Sequence, residues 1–158
     1  MTTHQRDIMA HLRIAPTGPL RIGVVLGDRV WLDTPGDVVR VRAADLRGVT
    51  QKAAALREER PNVHALVDID VMIARDAHSA RAAMAAAPPT DGTTLLYVGT
   101  PVGLAGLIAD IHALGIADGA VLIPLTRDGV MDLIRDEVLP EVRTMVSLHT
   151  ETTACRTA

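Results

Sequence analysis

Two short stretches of this sequence carry residue types that could do chemistry. In the first, "NVHALVDIDVMIA" (62–74), an apolar residue stands at every odd position, and His64, Asp68 and Asp70 stand at even ones. This two-residue period predicts a β-strand that places the three polar side chains on one face. Two carboxylates on one face either repel, which raises the pKa of one of them, or bind a metal ion together. The simpler interpretation is that this face of the sheet is exposed to solvent and therefore tolerates polar residues.

The second stretch is "APTGP", which lies between a predicted strand, "HLRIAP", and a predicted helix that begins at Thr17. Backbone N–H groups at the start of a helix bind phosphate, helped by the helix dipole. Ala15, Pro16, Thr17 and Gly18 are therefore the candidate cofactor-binding residues. An ordinary strand-to-helix turn is the alternative, and it gains weight because Pro16 and Pro19 lack N–H donors.

The other potentially reactive residues form no known pattern. The glycines of "VGTPVGLAG" (98–106) match neither the dinucleotide fingerprint nor a Walker loop, and a capped helix start explains them. The remaining histidines have no metal-ligand spacing, so no metal site is predicted. No Ser-His-Asp or G-x-S-x-G pattern occurs, and the one cysteine, Cys155, has no basic context that would activate it.

Strands alternate with helices along the chain. Apolar periodicity predicts strands at 11–16, 29–33, 62–74, 93–99 and 119–125, and helices from 17, at 43–60, 76–87, 101–114 and 127–146. Thr100 is the expected N-cap of the fourth helix, Gly115 its C-cap, and Pro140 is expected to kink the last helix.

This alternation predicts an α/β fold with about four parallel strands. A complete (β/α)₈ barrel needs about 250 residues, so the 158-residue chain is predicted to form a partial, half TIM-barrel-like βα repeat. The expected organisation is a flexible N-terminus (1–10), one domain (11–146) and a polar C-terminal tail (147–158).

The segment "VGTPVGLAGLIADIHALGIADGAVLIPLTRDGVMDLIRDEVLPEVR" (98–143) resembles the C-terminus of the bacterial luciferase-like flavin monooxygenases. That family ends in Gly-Thr-Pro, a helix, a glycine-led apolar strand, and a helix closing in Val/Leu-Pro-Glu-Leu. Upstream, 13–34 is similar to the family's fifth strand and helix, with Thr17 at a serine position and Pro16 in place of glycine. The resemblance implies a luciferase-like oxidoreductase domain that uses FMN or F420. It places the cofactor phosphate at Pro16, Thr17 and Gly18, which stand where the family has a Gly-Ser-Ser stretch.

Composition limits what such a domain can do. The net charge of −3 offers no basic field for nucleic acid or an anionic membrane, and no apolar span or secretory signal is visible, so a cytoplasmic protein is expected. One Trp, one Tyr and no Phe leave little to stack on a flavin ring.

A half-barrel has two open strand edges, so a homo-oligomer, or a partner chain that supplies the missing half, is expected. Because the first four βα units are absent from the sequence, we expect weak or no flavin binding and no turnover by the chain alone. The alternatives are a non-catalytic interaction subunit, which completes a barrel with itself or a partner, and a small regulatory binding module.

Overall fold

The longest strand of the protein organises its sheet. The computed structural model describes residues 18–156, and its six strands are β1 (Arg21–Leu26), β2 (Arg29–Leu32), β3 (Val38–Val41), β4 (His64–Ile73), β5 (Leu95–Gly99) and β6 (Gly119–Pro124). One edge of β4 pairs with β6, and the other pairs with β3 and then with β5. β1 lies parallel to β6, and β2 turns back antiparallel to β1. Five strands are thus mutually parallel, and the antiparallel β2 closes one end of the sheet.

Helices connect most of the strands, and two of them begin within one residue of the predicted positions, at Ala77 and Pro101. They are α1 (Leu46–Glu59), α2 (Ala77–Ala86), α3 (Pro101–Ala113), α4 (Val130–Leu133) and α5 (Leu139–Arg156), with a π-helical turn (Ile134–Val138) between the last two. The side chains of Asp45, Asp76 and Thr100 each accept the backbone N–H three residues later, which caps α1, α2 and α3. Gly115, at φ 67°, follows α3 as its predicted C-cap position requires.

The two faces of the sheet differ in chemistry. The odd-numbered residues of β4 pack against the helices and form the centre of the hydrophobic core with residues such as Val49, Leu104, Ile108, Leu122 and Val142. The opposite face, called the inner face below, carries Leu66, Asp68, Asp70 and Met72 of β4 beside Val121 of β6. Parallel strands with helices on one side match the predicted partial βα barrel, so that fold class is confirmed.

The helix predicted to begin at Thr17 is wrong. Residues 21–26 form β1, and a tight turn at Gly27 and Asp28 leads into β2. Glycines at 23 and 27 each weaken a helix by about 1 kcal/mol. In the hairpin, by contrast, Gly27 adopts the positive φ of 66° that a two-residue turn favours. At Gly23 the two strands of the hairpin pack tightly, since a Cβ there would lie 2.9 Å from Cδ2 of Leu32.

Two other segments differ from expectation. β3, only four residues long and interrupted by a charged residue, was not predicted. The last helix, predicted over 127–146, continues to Arg156. Pro140 lies in the first turn of α5, directly after the π-helical turn, a wide turn that accommodates its missing N–H. The predicted strand 11–16 lies outside the described residues. Within 18–156, no helix combines the length and the apolar character that a membrane crossing requires.

Candidate functional site

The carboxyl ends of the parallel strands meet at one edge of the sheet, called the C-terminal edge below. βα barrels and open parallel sheets bind their ligands at this edge. A cavity of about 510 Å³ lies there; its lining residues are Val25, Leu26, Gly27, Pro124, Arg127 and Met131. The ends of β1 and β6 and the loop that follows β6 form its walls.

This cavity combines one cation with an apolar surface. Arg127 is the only charged residue among those lining it in the described chain. Its Nη2 atom is 4.0 Å from the position that a Cβ would take at Gly27, so a ligand can approach the backbone beside the guanidinium. An anionic group on Arg127 and an apolar body on Leu26 and Met131 fit this arrangement. The described residues that line it include no nucleophile and no general acid or base.

On the inner face, Asp68 binds two arginines of the neighbouring segment. Its Oδ1 accepts Nε of Arg40 at 2.7 Å, and its Oδ2 accepts Nη2 of Arg40 at 3.1 Å and Nη2 of Arg42 at 3.2 Å. The side chain is 3% exposed. These bonds occupy the carboxylate that the sequence offered as a metal ligand. Among the described residues no group of three or more His, Cys, Asp or Glu is placed to hold a metal ion.

Asp70 is the carboxyl on this face whose pKa is shifted. Burial raises its pKa above the ordinary value of 3.8; the charges of Asp91 and Asp68 raise it further, and Arg42 opposes them. Burial is thus the main cause, and repulsion from Asp68 contributes least. Arg40 and Arg42 pair with the charge of Asp68, and Asp70 is left as the carboxyl that resists ionisation.

Asp70→Asn should stabilise the protein at neutral pH. A carboxyl whose pKa is higher in the folded than in the unfolded chain favours folding when protonated. That contribution is lost as the pH rises through the folded pKa. The gain from the amide should therefore be present at pH 7 and vanish below the unfolded pKa of 3.8. Urea unfolding of both proteins at pH 7 and at pH 3.5 measures it; a gain that is equal at the two pH values would contradict the raised pKa.

Gly18 is the one candidate phosphate-binding residue that the structure describes, and it lies at the opposite edge of the sheet from this cavity. Gly18 is exposed and precedes β1, which places it at the amino ends of the parallel strands. Its carbonyl oxygen is 2.7 Å from Nε2 of His112, near the end of α3. Ala15, Pro16 and Thr17 lie outside the described residues, and their role stays a prediction. Because β1 replaces the predicted helix, the helix dipole invoked for this site is absent from residues 21–26.

Neither aromatic ring lines the C-terminal-edge cavity. Trp31 stands on the helix side of β2, opposite Val24, and is 42% exposed. Tyr97 is half-buried, and its Oη donates to the carbonyl oxygen of Thr100 at 3.0 Å. Sequence reasoning missed Arg127, Arg40 and Arg42. Arg127 follows a predicted strand, so the rule that ligands bind at the carboxyl ends of parallel strands could have found it.

No family model and no curated protein matches this sequence. A solved structure does: that of the long-chain alkane monooxygenase LadA superposes with a TM-score of 0.56 at 13% identity. The fold is luciferase-like. The match covers 68% of this chain and 36% of the LadA chain, so this protein spans about a third of that structure. The similarity confirms the fold that the C-terminal resemblance implied, and at this identity it speaks for the fold alone.

Proposed function

We propose that this protein is a luciferase-like oxidoreductase domain of the flavin- or F420-dependent type that is inactive by itself. The observation that carries the proposal is the cavity at the C-terminal edge of the sheet, where Arg127 stands beside the open backbone of Gly27. The fold shared with LadA, a monooxygenase, supports the same class of chemistry. In this proposal the cofactor phosphate binds Arg127, and Ala15–Gly18 stays the alternative phosphate site that the sequence predicts.

The described residues fit the phosphate of such a cofactor and do not fit its ring. A guanidinium binds phosphate through two parallel N–H donors. A flavin ring needs walls on both faces, usually with aromatic contacts. Leu26 and Met131 offer one apolar wall; Tyr97 does not line this cavity, and Trp31 borders the neighbouring groove that shares these two residues. The isolated chain therefore lacks a complete ring pocket, and we expect a partner surface to supply the missing wall.

Titration of FMN and of F420 into the purified protein, followed by fluorescence, should give dissociation constants well above micromolar. Arg127→Ala should weaken the remaining binding by about tenfold, since a lost charge-assisted hydrogen bond costs about 1.5–3 kcal/mol. Arg81→Ala, on the exposed surface of α2, is the matched control. A submicromolar constant that survives Arg127→Ala and is lost on Thr17→Ala would instead favour the predicted loop at Ala15–Gly18.

A second candidate function is that of a non-catalytic interaction subunit. The observation that favours it is the exposure of large apolar side chains at both ends of the sheet. On β2, Val30 and Trp31 are 40% and 42% exposed, and on β5 Leu96 is 41% exposed. Soluble proteins usually protect edge strands with charges, proline or bulges. These edges instead offer apolar side chains to a partner.

A further inference from the structure

The outer edge of β2 has a defined set of hydrogen-bonding groups. β2 pairs with β1 alone among the described strands, so its other side faces outward. The N–H of Asp33 donates to the carbonyl oxygen of Ile22, which makes these two a hydrogen-bonded pair. Because such pairs alternate along an antiparallel ladder, Trp31 and Arg29 also turn their backbone groups toward β1.

The backbone groups of Val30 and Leu32 therefore point away from the sheet. Neither residue is a proline, and the strand contains no lysine and no bulge that would block pairing. Within residues 18–156 no strand pairs with these two N–H and two carbonyl groups, and Val30, Trp31 and Leu32 carry apolar side chains. An edge in this state is a template for strand addition.

We propose that two copies of this chain join through β2 as an antiparallel pair centred on Trp31. In this register Val30 of each copy lies opposite Leu32 of the other, and their outward groups form four N–H···O bonds. Trp31 lies opposite its own counterpart on the two-fold axis, and Arg29 lies opposite Asp33. A shift of one residue would bring backbone groups that already point toward β1 to the interface. The alternation of hydrogen-bonded pairs therefore excludes that register.

The side chains support the same register on both faces. On the inner face the opposed pairs are Val30 with Leu32, two apolar residues. On the helix side the two Trp31 rings meet at a non-hydrogen-bonded position, where cross-strand side chains are closest. Each ring also borders an apolar groove of about 290 Å³ formed with Leu26, Met131 and Leu139, among other residues. A tryptophan at the centre of an interface often contributes a large share of the binding energy.

Charge complementarity points to a second copy rather than to an unrelated strand. Arg29 is exposed and opposes Asp33 of the other copy, so each chain contributes one cation and one anion to two equivalent pairs. The Oδ1 atom of Asp33 accepts the N–H of Ile22 at 2.9 Å, which leaves Oδ2 for the intermolecular contact. A shift of two residues would place Asp28 opposite Leu32 and lose both ion pairs. The five residues Arg-Val-Trp-Leu-Asp (29–33) thus complement themselves.

This inference deepens the interaction-subunit candidate and does not depend on flavin binding. A dimer through β2 continues the sheet across the two-fold axis and leaves the β3 and β5 edge open. Closure of a barrel would use that second edge as well, where Leu96 is exposed. A substitution at Leu96 therefore disturbs barrel closure and leaves pairing through β2 intact.

Disulfide trapping tests the register directly in a Cys155→Ser background. Opposed residues at a non-hydrogen-bonded position have Cα atoms about 4.5 Å apart, within the range of about 4.4–6.8 Å that a disulfide bridges. Trp31→Cys should therefore form a disulfide-linked dimer under mild oxidation, and Arg29→Cys, on the same strand but opposite Asp33, should not. Because Trp31→Cys removes the tryptophan, a mixture of the Val30→Cys and Leu32→Cys proteins should also cross-link, with Trp31 intact. Equal cross-linking at all positions, or none in the mixture, would overturn the proposal.

Sedimentation equilibrium provides the second measurement. Val30→Pro removes an outward N–H that the hairpin does not use, so it should weaken the dimer by about tenfold or more and leave the circular dichroism spectrum unchanged. If proline unfolds the hairpin, Val30→Lys takes the place of Val30→Pro in this measurement. Leu96→Lys, on the opposite edge, should leave the dimer intact. A monomeric wild-type protein, or a dimer that Leu96→Lys dissociates and Val30→Pro leaves intact, would refute pairing through β2. Flavin titration of the same variants separates this outcome from failure of the proposed cofactor site.

Discussion

Gly119→Ala should prevent the protein from folding, or cost about 3 kcal/mol or more of stability, at the upper end of overpacking effects. Gly119 begins β6 and pairs with Arg21 of β1 on one side and Leu66 of β4 on the other. A Cβ at this position would overlap the carbonyl oxygen of Arg21 and lie 2.7 Å from its carbonyl carbon. The obstacle is backbone in the middle of the sheet, so no side-chain rotation relieves it, and β1 must separate from β6.

Gly106→Ala is the matched control for this effect. Gly106 lies inside α3, and no atom stands within 4 Å of the position of its Cβ. Alanine there should stabilise the protein by about 0.4–1 kcal/mol, because it lowers the entropy of the unfolded chain. Urea unfolding followed by circular dichroism compares the two variants. If Gly119→Ala unfolds at the wild-type urea concentration, the close approach of β1 to β6 is wrong.

Arg40→Ala should destabilise the protein by about 1–3 kcal/mol, because it leaves the buried carboxylate of Asp68 with one partner. Arg40 makes the shorter contacts, at 2.7 and 3.1 Å, and its side chain is 37% exposed. Arg42 binds the same carboxylate at 3.3 and 3.2 Å and is 53% exposed. Arg42→Ala should therefore cost less, under about 1 kcal/mol, as for an exposed ion pair.

A double-mutant cycle isolates the contact itself. When Asp68→Asn is already present, Arg40→Ala should cost much less than it does in the wild-type protein, because the charge that needed a partner is gone. Chemical denaturation of the four proteins at pH 7 gives the coupling energy. Additive effects of the two substitutions would mean that Arg40 contributes through packing of its aliphatic stem rather than through Asp68.

The sequence predicts those elements whose signals are local. β4 is recognised because its odd positions are apolar without exception, and α3 because Thr100 and Gly115 stand at its two ends. The β1–β2 hairpin was not recognised, because Thr17 and Pro19 resemble a helix start. What decides the outcome is contact with β6, which lies about a hundred residues further along the chain. Periodicity within a window contains no information about such a partner.

The candidate site depends on the same long-range contacts. The sequence places Asp68 and Asp70 on one face, and it cannot tell which of the two is neutralised, because Arg40 comes from a strand too short to predict. Likewise, Arg127 becomes a candidate ligand-binding residue only when β1 and β6 are neighbours and Gly27 lies beside it. Residue types at strand ends can be predicted; their grouping requires the strand order.

Chemical-shift mapping tests the central claim, that a flavin phosphate binds at the C-terminal edge of the sheet. FMN at millimolar concentration is added to ¹⁵N-labelled protein, and amide shifts are followed residue by residue. We expect weak, saturable shifts at Gly27, Arg127 and Met131, which Arg127→Ala abolishes. Shifts confined to Gly18 and its neighbours at the opposite edge, or no shifts at all, would contradict it.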